Sequence, residues 1–257
     1  MGRPPLEGSA SGMLASVTVD GSVDEVAVEL PLEIRLNGSP VAVTMRTPGH
    51  DFELAAGFLY GEGIVSDAPR MALSEDLAAN TVDAVAPGAS PPPTRRFYTT
   101  SSCGICGKGA LEEVEAIAST VSGGPSIARD LLAELPDRLR QPAFERSGGL
   151  HATGLFSADG EVLLVREDVG RHNAMDKVIG HALLEGTLPF SENVLCVSGR
   201  LAFELVQKAA RAGAPILVGV GAPTSLAVEL AADRGITLAG FARRGRVNVY
   251  THPQRVG

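Results

Sequence analysis

From Leu32 to Met45 the sequence "LEIRLNGSPVAVTM" alternates apolar and polar residues and is interrupted at Asn37-Gly38. A period of two marks strands, and Asn-Gly accepts the positive φ angles of a tight turn, so the pattern predicts a hairpin. The period then changes. In "DFELAAGFLYGEGI", Phe52, Leu54, Ala55, Phe58 and Leu59 recur at helical spacing and the run ends in glycines, which predicts a helix. "VAPGASPPPTR" has no periodicity and reads as a linker. After it, "RRFYTT" predicts a strand, "GALEEVEAIAS" a helix and "ARDLLAELPDRLRQ" another helix.

From His151 the pattern becomes regular. "HATGLFS" and "EVLLVRE" predict a second hairpin, and "RHNAMDKVIGHALLEG" a helix. The apolar strand "NVLCVSG" leads into the helix "RLAFELVQKAARAG", and "PILVGVG" leads into "TSLAVELAADRG". "ITLAGFA" and "RVNVYT" close the chain as strands. Strands alternating with helices place the chain in the α/β class, mixed with α+β, with some parallel pairing. The expected division is a flexible N-terminus over 1–22, rich in Gly, Ser and Pro. A small α+β domain follows over 23–95, and an α/β domain over 96–257.

Composition narrows the function classes. The chain has 257 residues, 44% of them hydrophobic, enough for a sizeable core. No apolar run approaches a membrane span, and "MGRPPLEGSASGMLASVTVDG" lacks the layout of a signal peptide, so the expectation is a soluble cytoplasmic protein with no membrane partner. A net charge of −8 argues against broad nucleic-acid binding. The last stretch runs against that balance: Arg243, Arg244, Arg246 and Arg255 occur with no acidic residue after Arg243.

Two of the three cysteines, Cys103 and Cys106, lie in "SSCGICGK", between a predicted strand and a predicted helix N-terminus. The unpaired N–H groups there favour a thiolate, and Lys108 adds a cation nearby. Four readings stand on these residues: a nucleophile, a redox couple, half a metal clip, or two inert thiols in a glycine-rich turn. Structural zinc needs four ligands, and there is no second such pair. A zinc deaminase needs His-x-Glu, whereas the chain has His151-Ala152-Thr153. Cys196, inside an apolar strand, reads as a core thiol.

A second cluster is "REDVGRHNAMDK", in which Asp168, Arg171, His172, Asn173, Asp176 and Lys177 crowd a strand-to-helix junction, where α/β sheets collect ligands. A solvated, salt-bridged face is the equal alternative. "VSGRLAFE" and "VGAPTSLAVE" each pass from strand to helix through a short turn, and helix N-termini bind phosphate. "GFARRGRVNVY" is an arginine turn between two strands. Its guanidinium forks suit phosphate and the acceptor edge of guanine, in a small anionic ligand rather than a nucleic acid.

Taken together, "MRTPGHDFELAAGFLYGEGI", "SSCGICGK", "GGLHATG", "REDVGRHNAMDKVIG", "SGRLAFELVQKAARAGAPILVG", "APTSLAVELA" and "GFARRGRVNVYTHPQR" resemble the formate dehydrogenase accessory protein family FdhD over nearly the whole chain. The resemblance implies a sulfurtransferase that carries sulfur as a cysteine persulfide. The sulfur would come from a cysteine desulfurase and pass to a molybdenum (or tungsten) bis-pterin guanine dinucleotide, for which GDP is a surrogate, before that cofactor enters the formate dehydrogenase catalytic subunit. It implies a cytidine-deaminase-like second domain without a metal, and a homodimer. Carried over, Cys103 bears the persulfide and Cys106 is its partner. Phe241, Ala242, Arg243, Arg244, Gly245 and Arg246 match the cofactor-binding segment. His151, Asp168, Arg171, His172, Asn173, Asp176, Lys177, Ser198 and Arg200 are candidates to line the cofactor cavity. A cofactor chaperone that transfers no sulfur, and a zinc-dependent deaminase-like hydrolase, are the alternatives.

Overall fold

The computed structural model describes residues 10–73, 80–89, 97–99 and 120–257. The chain forms two compact units that exchange segments: Met1–Gly104, Gln141–His151 and Glu167–Leu184 in one, and Ile105–Arg140, Ala152–Arg166 and Glu185–Gly257 in the other. This differs from the expected single boundary near residue 95. The helix that begins at Arg171 belongs with the first unit.

In the first unit, a short helix α1 (Ala10–Met13) precedes β1 (Leu14–Val19) and β2 (Ser22–Ala27), an antiparallel hairpin. Residues 14–22 are therefore a correction to the flexible N-terminus expected over 1–22. Asp20-Gly21, both at positive φ, make a two-residue turn that the surrounding Gly and Ser obscured. The second hairpin, β3 (Leu30–Leu36) and β4 (Ser39–Arg46), turns at Asn37-Gly38, both at positive φ, as the pattern predicts. With β5 (Arg70–Leu73), β6 (Thr81–Val85) and β7 (Phe97–Thr99) it builds a five-stranded sheet of order β5-β6-β3-β4-β7. The β3–β6 and β4–β7 pairs are parallel. Helix α2 (Asp51–Gly61) buries Leu54, Ala55 and Leu59 against Leu32, Ile34 and Leu36 of the sheet.

Helix α3 (Arg129–Glu134) belongs to the second unit. Helices α4 (Pro142–Ser147) and α5 (Arg171–Leu184) belong to the first. α5 lies on α2 at a separation that only glycine permits. A Cβ at Gly57 would stand 1.9 Å from the Asp176 carbonyl oxygen, and one at Gly180 1.8 Å from that of Glu53.

The second unit is built on a six-stranded mixed sheet of order β13-β12-β11-β10-β8-β9. Its strands are β8 (His151–Ser157), β9 (Val162–Asp168), β10 (Asn193–Val197), β11 (Ile216–Gly219), β12 (Thr237–Arg243) and β13 (Arg246–Val249). β10, β11 and β12 run parallel, linked through α6 (Phe203–Arg211) and α7 (Ser225–Arg234). One sheet face carries Phe156, Val194, Cys196, Ile216, Val218 and Ala239, packed with Leu132, Leu135 and Leu139. α6 and α7 bury Leu205, Val206, Ala209, Ala227, Leu230 and Ala231. The element order from His151 onward is the one the sequence pattern predicts, short apolar runs for the strands alternating with longer segments of helical spacing.

Candidate functional site

Parallel strands leave their carboxyl ends facing the turns that lead into the next helices, and ligands of open α/β sheets bind there. In the second unit these turns are knit together by backbone hydrogen bonds. Gly221 N donates to Gly199 O (3.0 Å), Leu201 N to Ala222 O (3.0 Å) and Thr224 N to Leu201 O (3.0 Å). A Cβ at Gly221 would sit 2.8 Å from Arg200 Cα, so a side chain there would push the two turns apart. Ser198, half-buried, is held by β8: its N–H donates to Ala152 O and its Oγ accepts from Ala152 N, both at 2.9 Å. Arg200 is exposed on the same turn. Thr224 caps α7, its Oγ1 accepting from Ala227 N at 3.3 Å.

The arginine turn adjoins these loops. Phe241 N donates to Gly221 O at 3.1 Å. Gly240 pairs with Asn248 and Arg243 with Arg246, so Phe241 and Ala242 together oppose Val247 alone. Two residues against one is a β-bulge, a device that re-aims a side chain. Ala242 and Val247 are buried and anchor the bulge, while Phe241 stands exposed at φ 54°. Positive φ is costly for an aromatic residue, about 1–3 kcal/mol, and such outliers cluster at ligand clamps. Arg244 and Gly245, at φ 51° and 71°, form the two-residue turn of a β-hairpin. Arg243, Arg244 and Arg246 are all exposed, a fully hydrated cluster of positive charge at one tip.

The cluster around Asp168 is a different kind of feature. Asp168 and Lys177 are fully buried in the first unit and pair at 2.7 Å. Lys177 Nζ also donates to Thr47 O (3.0 Å) and Glu167 O (3.2 Å), which uses all three of its N–H groups. Asp168 Oδ1 accepts from Gly170 N (2.8 Å) and Asn173 Nδ2 (3.0 Å), and Oδ2 accepts from Thr47 N (3.2 Å) as well as Lys177. Asn173 Nδ2 reaches Met45 O at 2.8 Å, and the Thr47 hydroxyl accepts from Val169 N at 3.2 Å. The carboxylate has four donors and the ammonium three acceptors. Asp168, Asn173 and Lys177 thus close a saturated latch between the end of β4 and the start of α5. Asp176 is buried as well, at the crossing with α2. The β4 partners, Thr47 above all, escaped the sequence reading. "MRTPGH" carries no chemical signal until its backbone is seen beside Asp168.

Arg171, His172 and His151 are half-buried. Burial pushes the His151 imidazole below its ordinary value; the Arg171 charge adds to this, and Asp168 opposes it. A depressed folded pKa favours the neutral ring. Its contribution to stability is therefore complete above the ordinary value of 6.5 and lost as pH falls through the folded value. Urea midpoints measured between pH values of about 7 and 5 should fall more steeply for the native chain than for His151→Asn. Parallel slopes would remove His151 from this role. Glu167 is shifted upward by burial, opposed by the N–H groups of Phe144 (2.8 Å) and Ala143 (3.2 Å), which it accepts at the start of α4.

Cys196 is fully buried on β10, and burial drives its thiol far above the ordinary range, so it is an inert core group. Cys103 and Cys106, with Lys108 and the helix predicted after them, lie outside the described residues. Among the described residues no group of three His, Cys, Asp or Glu side chains is placed to hold a metal ion, and no helix is long and apolar enough to cross a membrane.

A mixed α/β chain with an arginine-tipped hairpin beside the strand ends, and a Cys-x-x-Cys segment, has close relatives. The profile of the FdhD/NarQ family matches residues 27–257, and the chain belongs to that family. It is 51% identical over 259 residues to "Sulfur carrier protein FdhD" of Streptomyces avermitilis, covering 92% of each chain. It is 45% identical over 237 residues to the protein of the same name from Sulfolobus acidocaldarius, covering 91% of this chain and 92% of the other. Among solved structures, a candidate formate dehydrogenase accessory protein from Desulfotalea psychrophila superposes with a TM-score of 0.73 at 26% identity, over 95% of this chain and 97% of that one.

Proposed function

We propose that this chain is a sulfur carrier acting as an accessory to formate dehydrogenase. The observation that carries the proposal is the half-identity, over nine-tenths of the chain, to proteins named sulfur carrier, in a sequence with a Cys-x-x-Cys pattern among glycines. As a sulfurtransferase, it would take sulfur from a cysteine desulfurase. The Cys103 thiolate attacks the outer sulfur of the donor's persulfide. The donor's S–S bond breaks, its cysteine leaves as a thiolate, and Cys103 becomes the persulfide. Cys106 assists. The substrate that receives the sulfur is a molybdenum bis-pterin guanine dinucleotide, destined for the formate dehydrogenase catalytic subunit.

The arginine hairpin supports the ligand half of this reading. Arg243, Arg244 and Arg246 are exposed cations at one hairpin tip, suited to the phosphates of a dinucleotide. Arg200 and the start of α6, on the adjoining turn, add donors for the same anion. Phe241 offers a flat apolar face next to them. Asp168, Asn173 and Lys177 act as the frame for α5 rather than as ligands, because their hydrogen-bonding capacity is already spent within the chain. A homodimer and a deaminase-like form of the second unit belong to the same proposal, the latter supported by its mixed sheet with a parallel β10-β11-β12 centre.

Incubation with a cysteine desulfurase and cysteine, followed by peptide mass spectrometry, tests the reading. The expected result is a mass increase of one sulfur atom on the peptide holding Cys103, reversed by reductant and abolished in Cys103→Ala. An adduct on Cys196, or none on any cysteine, overturns it.

A further inference from the structure

We propose that Asn248 and Tyr250, beside the arginine hairpin, recognise the base of the bound dinucleotide. This inference rests on the proposed nucleotide-binding role of the hairpin and names two residues that the sequence reading passed over. Asn248 is exposed on β13 and lies directly opposite Gly240, so the two share one face of the sheet. Tyr250, two residues on, is tied to β12 through its N–H to Leu238 O at 2.8 Å and returns to that same face. Its ring edge occupies the space a side chain at residue 240 would need. A Cβ on Gly240 would meet Tyr250 Cε2 at 3.3 Å, Gly221 O at 2.9 Å and Pro223 Cδ at 3.1 Å. Glycine at 240 thus leaves room for the tyrosine ring beside the strand, at the point where the Gly221 turn arrives.

Exposure is the second part of the argument. Tyr250, just past β13, is 38% exposed and Phe241, on β12, 39%, two aromatic rings left partly to water. Phe241 is held in the bulge at φ 54°, while its neighbour Ala242 is fully buried. Two uncovered rings, one amide carrying a donor and an acceptor, and three guanidinium groups make a surface matched to a molecule with one flat heterocycle and an anionic tail. Aromatic rings take base faces, the amide takes a base edge, and arginine takes phosphate. Guanine is the heterocycle attached to the phosphates in the proposed substrate, and it is the occupant inferred here.

Calorimetry with two probes, GDP and inorganic pyrophosphate, separates the parts. Tyr250→Ala should weaken GDP binding about tenfold while Tyr250→Phe stays within about twofold, because the ring and not the hydroxyl stacks. Asn248→Ala should weaken GDP about fivefold. Neither change should alter pyrophosphate affinity, whereas Arg243→Ala and Arg246→Ala should weaken both probes. Asn248 is exposed, so Asn248→Ala should keep the native thermal midpoint, and Tyr250→Phe, which retains the ring, should keep it as well. If the arginine variants lose GDP and the Asn248 and Tyr250 variants do not, base recognition by these two residues is overturned and the hairpin reading stands. Equal loss of GDP and pyrophosphate in Tyr250→Ala overturns it also. If the native chain binds neither probe, both readings fall.

Discussion

Lys177→Met should destabilise the protein by about 3–5 kcal/mol, one of the two largest losses expected from a single substitution. Lys177 and Asp168 are both fully buried, and the ammonium is a counter-charge held directly against that carboxylate. Methionine fills a similar volume but leaves an uncompensated charge in a dry site. It also strips the Thr47 and Glu167 carbonyls of their donor. Asp168→Asn alone should also be strongly destabilising, because it leaves the buried ammonium without its counter-charge, although the amide oxygen can still accept from Gly170 N and Asn173 Nδ2. The informative variant is the double one. With the carboxylate also neutralised, Lys177→Met/Asp168→Asn should be more stable than the sum of the single losses predicts, by more than about 1 kcal/mol. Urea unfolding of the four chains in parallel measures this. Additive losses would mean that the pair does not act as a unit.

That latch also marks the limit of what the sequence conveys. Charges crowded at a strand-to-helix junction fit a ligand site and a salt-bridged face equally well, and "REDVGRHNAMDK" by itself does not decide between them. The deciding information is where the backbone of residues 45–47 lies, more than 120 positions away, and no local pattern encodes it. The same limit hid the bulge at Phe241. Its cause is a mismatch of two residues against one between β12 and β13, visible only once the register is known. By contrast, α6 and α7 are legible from helical spacing, and β10 and β11 as short apolar runs bounded by turn residues. The turn at Asn37-Gly38 was legible because clear alternation flanks it. The equivalent turn at Asp20-Gly21 was missed because Ser and Gly dilute the alternation around it. The arginine turn was read correctly as a turn, since Gly245 sits where a two-residue hairpin needs positive φ.

Gly180→Ala should cost about 3 kcal/mol or more, although alanine is the better helix former. In an exposed helix the same exchange would gain about 1 kcal/mol. Here the new methyl would fall 1.8 Å from the Glu53 carbonyl oxygen, which is backbone and cannot rotate aside. α2 and α5 must therefore separate, and separation loosens the apolar contacts that α2 makes with the five-stranded sheet. Gly57→Ala should act in the same way, since its methyl would fall 1.9 Å from the Asp176 carbonyl. The two contacts face each other across one crossing: each glycine packs against the turn that holds the other. Once the helices have moved apart for the first methyl, the second needs little more room. The double variant should then be only slightly less stable than either single one, a coupling of about 1–3 kcal/mol. Thermal unfolding of the three variants checks this. Full additivity, or a stabilised Gly180→Ala chain, would show that the crossing opens freely and that the glycines are not what sets its distance.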